Sequence, residues 1–129
     1  KFNEPENQSY YFNVYPEEAI NKLSKKLQVA LFNMIKELTT NAYKHAKANQ
    51  VMIQLNYIPE ESSLSLMYED DGIGFLPNNS EGIGLKNLKS RIDELQGSLS
   101  IDSNPGKGTV ISIHIPIKEA VIKNNENSL

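Results

Sequence analysis

Apolar and polar residues alternate along four stretches of the chain, and this period of two is typical of strands that bury one face of a sheet. The alternating stretches are residues 51–57, 64–69, 98–102 and 109–117. A further strand is predicted at residues 10–15, where aromatic and β-branched side chains precede Pro16. Half-buried strands of this kind predict one sheet with helices on one face and water or another domain on the opposite face.

In two other segments, apolar residues recur every three or four positions, which predicts amphipathic helices. The first helix is expected to begin after Ser24, a residue type that caps helices, and to run to about Ala48. The second is expected from Leu85 to Leu95, with Gly97 as its terminator. Together with the strands, these helices predict an α/β fold: a two-layer α/β sandwich with a mixed sheet of about five strands and helices packed on one face.

Length, charge and composition narrow the class of protein. At 129 residues the chain suits one domain, which we place at residues 10–117 between a polar lead-in at 1–9 and a polar tail at 118–129. A net charge of −3 with interspersed acids and bases argues against a nucleic-acid surface. The absence of cysteine from the sequence excludes disulfides and thiolate metal sites, and it fits a cytoplasmic protein. Because the chain begins at Lys1, we expect a piece of a longer protein.

One polar row follows the first predicted helix beside its apolar stripe. Glu37, Asn41 and His45 are spaced four residues apart and therefore lie along one side of the helix. An asparagine carbonyl oxygen is a suitable Mg²⁺ ligand near phosphates because it adds no negative charge. A glutamate one turn away can orient or deprotonate an attacking group, and Lys44 can reach a phosphate. The alternative is that these side chains are solvated or satisfy the core, and their spacing does not decide between the two.

Two glycine segments lie between the strand at 64–69 and the second helix. The first is Asp70-x-Gly72-x-Gly74 and the second is Gly82-x-Gly84. A glycine pair before a helix N-terminus suits a phosphate because unpaired N–H groups and the helix dipole favour anions. The alternatives are a hairpin turn at the first segment and a flexible connection at the second. Neither segment matches the P-loop, the dinucleotide-binding fingerprint or an EF-hand, so a bound nucleotide requires another fold.

The order of these motifs resembles one ATP-binding family. The chain carries E-x-x-x-N-x-x-x-H-A at 37–46, D-x-G-x-G at 70–74, G-x-G-L at 82–85 and G-x-G-T at 106–109. This order and spacing resembles the Bergerat-fold domain shared by sensor histidine kinases and gyrase-type topoisomerases. Over residues 10–117 the chain is most similar to the catalytic domain of bacterial two-component histidine kinases, in the short-lid branch that includes nitrate sensors.

The resemblance implies a role for each residue of the first two motifs. Asn41 would coordinate the Mg²⁺ that bridges the ATP phosphates, and Glu37 would be the catalytic acid that polarises the attacking group or a water. Asp70 would accept a hydrogen bond from the adenine amino group, while Gly72 and Gly74 let the backbone pass close to the purine.

The remaining motif residues are implied to contact the nucleotide from other sides. Residues 75–84 would form a short lid over the triphosphate, hinged at Gly82 and Gly84. Thr109 would place a hydroxyl near the adenine or its bound water. The other nucleotide-contacting positions implied by the motifs are Lys44, His45 and Leu85.

The resemblance also implies an activity and partners. The domain would bind ATP and Mg²⁺ and transfer the γ-phosphoryl group to a histidine on a dimerisation domain missing from this chain, from which a response regulator would receive it. Neither His45 nor His114 is expected to be the phosphoacceptor. The whole protein would be a homodimer, and this domain would lie in the cytoplasm whether or not the whole protein is anchored to a membrane. Two alternatives stay open: an anti-sigma-factor serine kinase of the same fold, and a nucleotide-binding module without catalysis.

Overall fold

The computed structural model of the chain describes residues 8–74 and 85–117. The strands in these residues are β1 (Ser9–Tyr15), β2 (Gln50–Ile58), β3 (Ser63–Asp70), β4 (Ser98–Ser103) and β5 (Thr109–Pro116). The α-helices are α1 (Glu17–Asn21), α2 (Lys25–Asn41) and α3 (Leu85–Glu94). A π-helical turn at Ala42–Ala46 continues α2, and a 3-10 turn at Pro59–Glu61 joins β2 to β3. No helix in the described ranges is both long and apolar enough to cross a membrane.

The strands form one mixed sheet in the order β1-β2-β3-β5-β4. β1 and β2 are parallel because α1 and α2 lie between them in the chain and return it to the same end of the sheet. The other neighbouring pairs, β2 with β3, β3 with β5 and β4 with β5, are antiparallel. Each of the five strands predicted from the sequence is present, with ends that differ by one residue at most. The predicted α/β fold is therefore confirmed.

The hydrophobic core lies on one face of the sheet, under α2 and α3. The helices contribute Leu27, Leu31, Met34, Leu38, Leu85, Leu88 and Ile92. Alternate residues of three central strands complete the core: Val51, Ile53, Leu55, Leu64, Leu66, Ile111, Ile113 and Ile115. Complete burial of one such side chain stabilises the fold by roughly 1.5–3 kcal/mol. Because only the helix-covered face buries a continuous apolar set, the strands need the period of two that the sequence shows.

The first long helix begins as predicted but ends differently. The side chain of Ser24 caps the N-terminus of α2. The expected single α-helix to about Ala48 is wrong: α2 ends at Asn41, and the π-helical turn 42–46 follows. Lys47 then adopts a left-handed conformation with φ 51°, which stops the helix. Apolar spacing could not reveal this change because the apolar stripe continues into the turn.

Candidate functional site

A cavity of about 250 Å³ opens at the end of the sheet where β3 ends and β5 begins. α2 with its π-helical turn forms one wall, and the first residue of α3 contributes to another. Six residues predicted from the sequence are in its lining: Asn41, His45, Asp70, Gly74, Leu85 and Thr109. Much of the remaining lining is apolar and includes Leu38 and Ile111. The structure therefore brings four separate chain segments to one mostly apolar cavity.

Other predicted site residues lie elsewhere. Those that the structure describes but that do not line the cavity are Glu37, Lys44 and Gly72. Lys44 is exposed, whereas Glu37 is half-buried with its Oε1 3.8 Å from Nε of Arg91 on α3, an ion pair too long for a hydrogen bond. Gly82, Gly84 and the rest of the predicted lid at 75–84 lie outside the described residues.

Asp70 is buried at the end of β3, with 8% of its surface exposed. Its Oδ1 accepts a hydrogen bond from the backbone N–H of Gly72 at 2.8 Å, and its Oδ2 accepts one from the hydroxyl of Tyr68. Each carboxylate oxygen can accept two hydrogen bonds, so each has room for one more beyond the donors that residues 8–74 and 85–117 supply. The cavity therefore presents a fixed carboxylate acceptor beside apolar walls, which suits an apolar ligand that carries a hydrogen-bond donor.

The neighbouring carboxylate, Asp71, has a structural task. Its Oδ1 accepts hydrogen bonds from the backbone N–H groups of Asn49 at 2.8 Å and Gln50 at 3.0 Å, at the start of β2. Asp71 is exposed and does not line the cavity. The two acids of the Asp-Asp-Gly stretch thus diverge, one toward the cavity and one toward an adjacent strand.

Thr109 lines the cavity from the first position of β5 and is 5% exposed. Its Oγ1 lies 2.7 Å from Oγ of Ser103, the last residue of β4, and Ser103 also donates to the carbonyl oxygen of Gly108 at 3.2 Å. This hydrogen bond across the hairpin fixes the threonine hydroxyl at the cavity edge.

Asn41 contributes a polar group whose hydrogen-bonding capacity is unused. Its Nδ2 is buried and has no hydrogen-bond partner among residues 8–74 and 85–117. A buried donor left in this state costs about 1–3 kcal/mol, so a ligand at the cavity wall would relieve the cost. The same side chain offers a neutral carbonyl oxygen, which fits a hard cation such as Mg²⁺. The described residues contain no group of three or more His, Asp or Glu side chains suited to a metal ion, so water and ligand oxygens would supply most of its coordination.

The glycines of the D-x-G-x-G motif permit close packing between chain segments. A Cβ at Gly72 would lie 2.1 Å from the carbonyl oxygen of Ala46, at the end of the π-helical turn. Gly74 has φ +69°, and a Cβ there would lie 2.0 Å from the carbonyl oxygen of Asn104. The loop after β3 therefore packs closely between the π-helical turn and the β4–β5 hairpin. The predicted passage of both glycines beside a purine stays a prediction.

Five cavity residues were not among the predicted site residues: Leu38, Ala46, Tyr68, Ile73 and Ile111. Alternation predicts only that Tyr68 belongs to a strand, yet its position two residues before Asp70 places both side chains on one face. That spacing was the available signal for their hydrogen bond. Ile73, between the two glycines, is 48% exposed and lines the cavity as an unshielded apolar group.

Comparison with known proteins shows the family to which this chain belongs. The family of histidine kinase-, DNA gyrase B- and HSP90-like ATPases matches residues 26–119, and this chain belongs to that family. The relatives described next are sensor histidine kinases, so the chain is an ATPase domain of the histidine-kinase type. The resemblance predicted from the motifs is therefore confirmed.

Individual relatives agree with this class. A sensor-like histidine kinase of Chloroflexus aurantiacus is 40% identical over 104 residues, which cover 75% of this chain and 17% of that protein. The signal transduction histidine-protein kinase/phosphatase DegS of Bacillus subtilis is 30% identical over 112 residues, which cover 83% and 29%. The mycobacterial sensor histidine kinase MprB matches the fold with a TM-score of 0.64 at 20% identity, over 87% of this chain and 83% of that one. The chain therefore spans less than a third of the length of these two sequence relatives.

Proposed function

We propose that this chain is the ATP-binding catalytic domain of a sensor histidine kinase that acts in two-component signal transduction. The observation that carries the proposal is the convergence of Asn41, Asp70 and Thr109, from three separate elements, on one mostly apolar cavity. Membership of the ATPase family supports an adenine nucleotide as the ligand.

The adenine base is proposed to occupy the cavity. Its exocyclic amino group would donate to the free acceptor position of Asp70, and the side chains of Leu85 and Ile111 would cover its apolar surface. The hydroxyl of Thr109 would meet the base or a water bound to it. A volume of about 250 Å³ is slightly below the roughly 300–1,000 Å³ of complete ligand pockets, so the phosphates would extend beyond it.

The phosphates are proposed to lie between α2 and the start of α3. Leu85 is the first residue of α3 and lines the cavity, so an anion bound there would meet the positive dipole end of this helix. Asn41 would hold Mg²⁺, which when bound neutralises phosphate charge. His45, at the cavity wall, and Lys44, on the exposed side of the π-helical turn, are proposed to contact the phosphates. The same contact is proposed for Gly82 and Gly84.

The acceptor of the γ-phosphoryl group is proposed to be a histidine on a dimerisation domain, with a response regulator next in the relay. Glu37 would orient that histidine, because it lies one turn from Asn41 and is only partly buried. His45 lies on the helical wall of the cavity, and His114 lies near the opposite end of β5 from it, so neither suits the acceptor role. The sensor kinases among the relatives favour this acceptor over the serine of the anti-sigma-factor kinases.

Isothermal titration calorimetry tests the ligand. The 129-residue chain is titrated with ADP and an unhydrolysable ATP analogue, with Mg²⁺ or with EDTA, and with GDP as the control. The proposal predicts saturable one-site binding of the adenine nucleotides, strengthened by Mg²⁺, and much weaker binding of GDP. Absence of heat with every adenine nucleotide would refute it.

Radiolabelling tests the acceptor. Incubation of this chain with γ-labelled ATP should leave it unlabelled, whereas a protein that also contains the dimerisation domain should gain an acid-labile phosphohistidine. Phosphoserine on an anti-anti-sigma partner would instead support the serine-kinase alternative. In the longer protein, Glu37→Gln should reduce labelling without weakening ADP binding.

A further inference from the structure

Tyr68 is the buried titratable residue of the cavity to which the proposed function gives no role. It lies on β3, 4% exposed, and lines the cavity beside Asp70. In the register of the sheet it faces Ile53 on one side and Ile111 on the other, so apolar residues surround its ring. A tyrosine hydroxyl placed in such surroundings requires a partner, and its partner is the carboxylate of Asp70.

We infer that Tyr68 is a positioning residue that sets the orientation of Asp70 and thereby the preference of the cavity for a 6-amino purine. This inference rests on the proposed function. Gly72 N–H holds one carboxylate oxygen at 2.8 Å, and the Tyr68 hydroxyl holds the other. With both oxygens held, the carboxylate cannot rotate about its Cβ–Cγ bond, and its free acceptor positions have fixed directions.

The protonation state of Tyr68 suits this role. Burial, followed by the hydrogen bond to Asp70, raises the pKa of the Tyr68 hydroxyl above its ordinary value. The hydroxyl therefore remains a neutral donor at neutral pH and directs its proton to the carboxylate. Because a carboxylate only accepts hydrogen bonds, a ligand must supply a donor to bind Asp70.

Removal of the Tyr68 hydroxyl would remove one of the two hydrogen bonds that hold the Asp70 carboxylate. In Tyr68→Phe the ring remains and the apolar packing is preserved, but Asp70 is held only by Gly72 N–H. A less constrained carboxylate discriminates less between a purine with an amino group at position 6 and one with a carbonyl there. Because the packing elsewhere in the cavity is unchanged, only ligands that carry the amino group should lose affinity.

The test compares ADP with inosine diphosphate, in which a carbonyl oxygen replaces the amino group. Dissociation constants are measured by calorimetry for the wild-type chain, for Tyr68→Phe and for Tyr57→Phe. Tyr57 is the matched control, because it is a partly buried tyrosine of the adjacent strand β2 outside the cavity. We expect Tyr68→Phe to weaken ADP binding roughly three- to tenfold and inosine diphosphate binding less than twofold. Tyr57→Phe should change neither.

A double-mutant comparison then separates positioning from general stability. In an Asp70→Asn background, Tyr68→Phe should have no further effect on the ratio of the two affinities. An equal loss for both nucleotides, an unchanged ratio in the single variant, or the same loss in the Asp70→Asn background would overturn the inference. Failure of the wild-type chain to bind ADP at all would instead refute the proposed function.

Discussion

Two cavities of equal volume, about 250 Å³ each, lie near opposite ends of β5. The first, at Thr109, is the proposed nucleotide site. The second lies at the other end, where its polar lining includes Glu61, Ser63 and His114. Volume therefore does not distinguish them, and the difference lies in what their polar groups already bind.

In the second cavity the polar side chains satisfy one another. Oε1 of Glu61 accepts from Oγ of Ser63 at 3.2 Å and lies 3.0 Å from Nε2 of His114. Ser63 Oγ and His114 Nε2 are themselves 3.3 Å apart. The acid and the histidine are about half exposed, so water solvates what remains. The hydroxyl of Ser63 and Nε2 of His114 thus direct their hydrogens within this cluster, which leaves them little to offer a ligand.

In the first cavity some polar groups keep unused hydrogen-bonding capacity. Among residues 8–74 and 85–117, Asp70 accepts from two donors and has capacity for more, and the buried amide nitrogen of Asn41 has no partner. Unused capacity in apolar surroundings is where a ligand gains most, because each unpaired group has already lost its water. The two cavities therefore differ in unsatisfied hydrogen-bonding capacity more than in the number of their polar residues.

The largest expected effect comes from Asp70. Asp70→Asn replaces the carboxylate proposed to bind the adenine amino group with a neutral amide, and we expect ADP affinity to fall roughly 10- to 100-fold, in line with the value of hydrogen bonds to charged groups. Asp71→Asn is the matched control: it should lower the melting temperature, because Asp71 ties β2 to the loop, and change ADP affinity less than twofold. Calorimetry and thermal melting measure both. Equal affinity losses in the two variants would remove the distinction between the neighbouring acids.

A smaller effect is expected from Asn41. Asn41→Asp adds a negative charge near the proposed phosphate site, so the ratio of ADP affinities with Mg²⁺ and with EDTA should change about threefold to tenfold. Asn33→Asp is the control, because Asn33 lies on the same helix two turns earlier and outside the cavity. An identical Mg²⁺ dependence in wild type and Asn41→Asp would contradict the assignment of Asn41 as the metal ligand.

The smallest effect is expected at the second cavity and concerns stability alone. Hydrogen bonds from His114, and then from Ser63, hold the pKa of Glu61 below its ordinary value. A carboxyl with a lowered pKa in the folded state stabilises the fold above its unfolded pKa, and this contribution is lost as pH falls through the folded pKa. The wild-type melting temperature should therefore fall slightly more than that of Glu61→Gln between about pH 6 and about pH 3.

Glu60→Gln, in the same 3-10 turn, is the control for this pH series. The difference is expected to be small because exposed hydrogen-bonded pairs contribute little. ADP affinity should be the same in Glu61→Gln and wild type. A loss of ADP binding in Glu61→Gln would contradict the contrast between the two cavities.

The strands could be predicted from the sequence because alternation of apolar and polar residues depends only on neighbouring positions in the chain. A strand with one buried face must alternate, and β2, β3, β4 and β5 follow that rule, with ends within one residue of those predicted. The mostly exposed β1 was instead predicted from its aromatic and β-branched side chains. The π-helical turn was not readable, since the apolar spacing of α2 runs on into Ala42 while the hydrogen-bond pattern changes. The five-residue α1 is likewise too short for a periodic signal.

The site was readable in part for a different reason. Residues such as Asp70 and Asn41 carry motifs whose order is specific, so their neighbourhood could be anticipated. The sequence could not predict contacts between distant elements, such as the close approach of Gly72 to Ala46 or the ion pair of Glu37 and Arg91. Such contacts depend on how elements pack, and no spacing along the chain encodes them.

A crystal structure of this chain with ADP and Mg²⁺ tests the central claim most directly. The account predicts the adenine amino nitrogen within hydrogen-bond distance of the Asp70 carboxylate, with the phosphates on the side of Asn41 and the start of α3. Adenine seated anywhere away from Asp70, such as the cavity beside Glu61 and His114, would contradict it.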